Sequence, residues 1–117
     1  MSTSVSWGRR ERYKFASCGN LNSWVPPVVP AVFAITYKQD PHNLPKSHTV
    51  LYFGECEDLS KQAISLNRKV VDFWMSNGGT EDDLYVFVHQ MEGSSKFDRS
   101  KVQERLVAEY QPHVNDT

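Results

Sequence analysis

Pro30-Ala31-Val32-Phe33-Ala34-Ile35-Thr36-Tyr37 and Thr49-Val50-Leu51-Tyr52-Phe53-Gly54 are the two stretches that decide the fold. Both are rich in β-branched and aromatic residues and are bounded by Pro, Asn, Asp or Gly, the composition of paired strands. The polar segment Lys38 to Ser47 joins them, so the spacing predicts a hairpin with a long loop. Its histidines, His42 and His48, lack a carboxylate or thiol partner at ligand spacing and are expected to be ordinary surface residues.

Downstream, Glu57-Asp58-Leu59-Ser60 opens a helix with an acid at its positive end. Leu59, Ala63, Leu66, Val70, Phe73 and Trp74 recur at gaps of three and four, one buried stripe, and Ser76-Asn77-Gly78-Gly79 ends it. The predicted helix is Asp58–Asn77. Leu84-Tyr85-Val86-Phe87-Val88-His89 reads as a further strand, central in the sheet, with His89 structural. Glu92 to Lys96 reads as a turn. A last helix is expected over Ser100–Tyr110, capped by Asp98 or Ser100, with Val102, Leu106, Val107 and Tyr110 inward and Pro112 stopping it.

Upstream, Trp7 and Tyr13 flank Arg9-Arg10-Glu11-Arg12. The stretch reads as an edge strand with Trp7, Tyr13 and Phe15 on the sheet and the charges in solvent. A phosphate-contacting arm is the alternative. Gly19-Asn20-Leu21-Asn22 has turn chemistry. Val25-Pro26-Pro27-Val28-Val29-Pro30 cannot be helical and is an extended lead-in to the hairpin.

The 117 residues form one domain, with 1–26 as an N-terminal extension or edge strand and 27–115 as the core. The expected fold is α+β: a small, mostly antiparallel sheet of three or four strands flanked by helices. Three Trp, five Tyr and six Phe suffice to fill the core. No apolar run reaches the roughly 18 residues of a membrane span, and Met1 to Arg12 has no apolar stretch of a secretory signal. The expected location is intracellular, with Cys18 and Cys56 as reduced thiols and no membrane partner. The net charge of −1 and pI near 6.4 lack the basic excess usual in nucleic-acid binders and argue against a dedicated nuclease, while leaving room for a local basic patch.

Strand, loop, strand ending in aromatic-x-Gly, then helix resembles the core of the GIY-YIG nuclease superfamily. Ala31-Val32-Phe33 stands in place of Gly-Ile-Tyr, and Tyr52-Phe53-Gly54 in place of Tyr-Ile-Gly. Leu106-Val107 and Pro112-His113-Val114-Asn115 resemble the closing segment of such domains, so the likeness runs from Pro27 to Asn115. It implies phosphodiester hydrolysis in which a hairpin tyrosine helps activate water, a helix Arg steadies phosphate charge and a Glu on the last helix holds Mg²⁺ or Mn²⁺.

Carried over by position, the first tyrosine falls on Phe33, which has no hydroxyl, and the second on Tyr52, which is kept. The Arg falls on Gln62 and the Glu on Gln103, both neutral. Removal of one preorganised charge-stabilising group commonly costs about 10²–10³ in rate. The expectation is therefore a catalytically impaired domain that binds a protein or nucleic acid and needs no cofactor. The alternative is a divergent, metal-dependent endonuclease using Tyr52, with Glu104 as metal ligand and Lys61 as cation. Lys61, Arg68 and Lys69 on the outer face of the first helix are the nucleic-acid candidates. Glu55, beside Gly54, is expected to repel phosphate.

Overall fold

The computed structural model describes residues 4–21, 24–38, 48–79, 84–112 and 114, excepting the side chains of 38, 48 and 62–68. The chain is α+β, in the order β1 (Ser4–Trp7), β2 (Tyr13–Asn20), β3 (Ala31–Lys38), β4 (His48–Cys56), α1 (Leu59–Ser76), β5 (Leu84–Gln90) and α2 (Lys96–Tyr110). One antiparallel sheet has the strand order β1-β2-β5-β3-β4. Both β4 and β5 run antiparallel to β3 and hence parallel to each other, so α1 carries the chain across the central hairpin strand.

The sheet has five strands, not three or four. The N-terminal stretch supplies two of them, because Gly8 turns the chain and Trp7 pairs with Tyr13. Gly19 and Asn20 belong to β2 rather than to a turn. A register shift between Ser17 and Gly19 absorbs the glycine, whose φ is +88°. β5 lies in the middle of the order, as its apolar run predicts.

The two sheet faces carry separate cores. On one, Phe33, Ile35, Leu51, Val86 and Val88 pack with Leu59 and Val70 of α1. On the other, Val32, Ala34, Phe15, Phe53 and Phe87 pack with Val102 and Leu106 of α2. β3 is thus covered on both sides, and its six residues Ala31 to Thr36 are all buried. This explains why it reads as a continuous apolar run rather than an alternating one. Trp7 anchors the α2 side, with ring centroids 5.0, 5.8 and 5.4 Å from Phe15, Phe53 and Phe87, all edge-on. Such pairs add roughly 0.5–1.5 kcal/mol each beyond area burial. Val25-Pro26-Pro27-Val28-Val29-Pro30 is non-helical, and its last two carbonyls accept from Leu59 and Met91.

α1 begins and ends where its signals place it: Asp58 accepts the Ser60 N–H, and Asn77 is the C-cap. α2 starts four residues before the expected Ser100. Ser95 is its N-cap, not Asp98 or Ser100, and forms a capping box with Asp98. Ser and an acid three residues apart satisfy two backbone N–H groups reciprocally, which extends the helix back into the expected turn. Tyr110 faces in only partly, being 37% exposed, with its ring centroid 6.0 Å from that of Phe53.

Candidate binding site at the end of the hairpin

β4 is an edge strand, and the residues singled out by motif gather on it from both layers. Phe33 and Gly54 are cross-strand partners, and so are Ile35 and Tyr52. A register shift between Ile35 and Thr36 places Leu51 and Tyr52 together on the α1 face. Phe33 is buried at 2% exposure and its ring lies 5.9 Å from that of Tyr52. A Cβ on Gly54 would overlap Cζ of Phe33 and come within 2.7 Å of Phe33 Cε1 and Tyr52 Cε2. The motif glycine therefore clears space for a core ring.

Gln103 comes from α2, on the opposite face. Its Nε2 donates to the Phe53 carbonyl at 3.0 Å, next in sequence to Tyr52. The amide thus ties helix to edge strand. Glu104 is exposed on α2. Gln62 and Arg68 have side chains outside the described residues, as does His48, and His42 lies outside them altogether. Lys61 and Lys69 are both exposed, two helical turns apart on α1. Lys61 lines an open cleft of about 430 Å³ with Val28, Glu57 and Asp58. His89 is structural: its Nδ1 lies 2.9 Å from the Lys14 carbonyl and its ring packs edge-on to Tyr13.

The sequence reading missed Arg99. It is 3% exposed; its Nε donates to Glu55 Oε2 at 3.1 Å and its Nη1 to the Ser94 carbonyl at 2.8 Å and Ser94 Oγ at 3.1 Å. Glu55 is therefore the partner of a buried guanidinium, joining β4 to the start of α2. A signal existed. Arg99, Val102 and Leu106 follow helical spacing, and Glu55 shares a strand face with Phe53.

Electrostatics at the strand end favour protonated groups. Burial raises the Tyr52 phenol, and the Glu55 carboxylate adds to it. Burial, then Glu55, pushes the Cys56 thiol up to about 11 from an ordinary 9. The folded state thus holds this proton more tightly than the unfolded chain, so stability falls as pH rises from about 9 to about 11. Cys56→Ala should flatten that slope in urea melts. Both cysteines are free, Cys18 half-buried and Cys56 buried. Iodoacetamide at pH 8 is expected to label Cys18 before Cys56, read by peptide mass spectrometry; equal rates would show the Cys56 thiol to be solvent-accessible.

Among the described residues, no group of three or more His, Cys, Asp or Glu could hold a metal ion, and no helix is long and apolar enough to cross a membrane. No family model, no curated protein and no solved structure matches the chain.

Proposed function

We propose that the chain is a degenerate GIY-YIG-like domain, without phosphodiester cleavage, that serves as a binding module. The succession strand, loop, strand, helix, strand, helix supports the likeness. The observation that carries the loss of catalysis is Gln103. At the position of the family's metal-binding Glu stands a neutral amide, one of whose two N–H groups donates to the Phe53 carbonyl. Phe33, at the first tyrosine position, is a core ring without a hydroxyl. Tyr52 keeps its hydroxyl, but burial and Glu55 hold the phenol protonated, against a role as base.

The partner surface is the cleft beyond β4. Glu57, Asp58 and Val28 line it beside a single Lys61, and Val28 is 75% exposed. An acidic, apolar lining disfavours phosphate and suits a protein segment that offers a basic or apolar side chain.

The test is incubation of the protein and its Tyr52→Phe variant with single- and double-stranded DNA and RNA in Mg²⁺ or Mn²⁺. Neither protein is expected to cleave above background. Cleavage that disappears in the Tyr52→Phe protein would overturn the reading and restore the metal-dependent endonuclease, with Glu104→Ala and Lys61→Ala as the next variants.

A further inference from the structure

The basic turn between β1 and β2 is held in one conformation by the far end of the chain. Gly8 has φ +121°, and a Cβ there would overlap the Glu11 carbonyl oxygen, so the turn requires glycine. α2 then fastens it at several points. The Gly8 N–H donates to Tyr110 Oη at 2.9 Å, and the Arg9 N–H to Glu109 Oε2 at 2.9 Å. Arg105 Nη1 donates to Glu11 Oε2 at 3.0 Å and to Tyr13 Oη at 3.3 Å. Tyr13 Oη donates to the same Glu11 oxygen at 3.1 Å.

Glu11 and Glu109 are thus engaged in fastening the turn, while Glu104, next to Arg105 on α2, is exposed. The guanidinium groups of Arg9 and Arg10 are exposed and have no carboxylate partner among the described residues. Arg12 is exposed beside them, making one long bond of 3.4 Å from Nη2 to the Ser6 carbonyl. Arg105, exposed on α2, stands beside the turn, whereas Lys14 of β2 faces the other side of the sheet, where it lines a pocket with Ala16, Cys18 and Val88. A chain of net charge −1 therefore gathers Arg9, Arg10 and Arg12 at one turn, with Arg105 of α2 beside it.

We propose that this fixed arginine turn, with Arg105 beside it, is a docking surface for the phosphate backbone of a nucleic acid. Guanidinium forks match phosphate oxygens, and a turn already ordered loses little further entropy on binding. The surface lacks what a protein interface is built around. The exposed large apolar residues Val25, Val28 and Met75 lie on other segments, Phe97 stands in the first turn of α2 at the end away from the arginines, with Lys101 Nζ over its ring, and Tyr110, beside the turn, is committed to Gly8. Contacts of this kind read charge rather than base sequence. The surface is independent of the cleft beyond β4, and together the two would make the domain an adaptor between nucleic acid and protein.

The experiment is fluorescence anisotropy of the full chain with a labelled duplex DNA and a labelled single-stranded RNA across a salt series. Binding is expected to weaken steeply with salt. Arg9→Ala/Arg10→Ala should weaken it about tenfold or more at low salt and reduce the log–log salt slope by about two. Arg9→Lys/Arg10→Lys should keep most of the slope. Neither change should move the melting temperature, since both side chains are exposed and form no ion pair among the described residues. No binding to either nucleic acid, or an Ala/Ala protein that binds as the parent does, overturns the proposal. So does a polyglutamate peptide that binds the turn as tightly as the nucleic acids. Nuclease inactivity of the Tyr52 site leaves this result unaffected, so the two readings fail separately.

Discussion

Arg99→Ala is expected to destabilise the domain by about 3–5 kcal/mol, the usual cost of stripping one partner from a buried ion pair. Three groups lose their donor at once: the Glu55 carboxylate and the carbonyl and hydroxyl of Ser94. Glu55 is itself only 15% exposed, so water cannot fully replace the guanidinium. The cut falls where β4, the β5–α2 connection and the first turn of α2 meet, so loosening of the helix start should accompany the loss. Urea denaturation would measure it, with a melting temperature lowered on the order of 10–20 °C. The double variant Glu55→Leu/Arg99→Met should lie well above the sum of its single changes, because it buries no unpaired charge. A loss below about 1 kcal/mol for Arg99→Ala would mean that the pair behaves as a solvated surface bridge.

Gly54→Ala is the second large effect, expected at about 3 kcal/mol, the upper range for forcing atoms into a packed core. The backbone at Gly54 does not lie in the left-handed region, so its lack of a Cβ matters for space rather than for torsion freedom. The added methyl would meet the Phe33 ring, which is held by the α1 core on its other side. Rescue distinguishes this cause from any other. In a Phe33→Leu background, where the Phe33 ring atoms are gone and only Tyr52 Cε2 remains close, the same Gly54→Ala change should cost clearly less, about half or under. Equal costs in both backgrounds would mean that Tyr52 or the strand backbone, not the Phe33 ring, demands glycine. Chemical denaturation of the four proteins supplies the cycle.

Much of the fold could be read from periodicity. The hairpin arms, the α1 boundaries with Asp58 and Asn77 as caps, and the central place of β5 all followed from local patterns with strong punctuation. The start of α2 was not found, because Lys96, Phe97 and Asp98 give no apolar stripe; only the Ser95–Asp98 reciprocity marks it. β1 and β2 merged into one expected strand because a lone Gly8 before a charged run is a weak turn signal. At the site, strand and helix positions were legible for Phe33, Tyr52 and Gln103, whereas their partners were not. That Gln103 bonds a β4 carbonyl, and that Glu55 faces a cation rather than a phosphate, depends on how α2 crosses the sheet. Such docking has no local sequence signature.

The bonds that fasten the β1–β2 turn join residues 102, 100 and 94 positions apart. Contacts of such separation must repay a large loop-closure entropy, and topologies that depend on them fold slowly. During synthesis, the first hairpin emerges long before Glu109 and Tyr110 exist to hold it. Trp7 likewise has to wait for Phe53 and Phe87, against which it packs. The arginine turn thus acquires its fixed geometry only as the chain closes on itself, and truncation before α2 would leave a nascent sheet with a hydrophobic face and no lid.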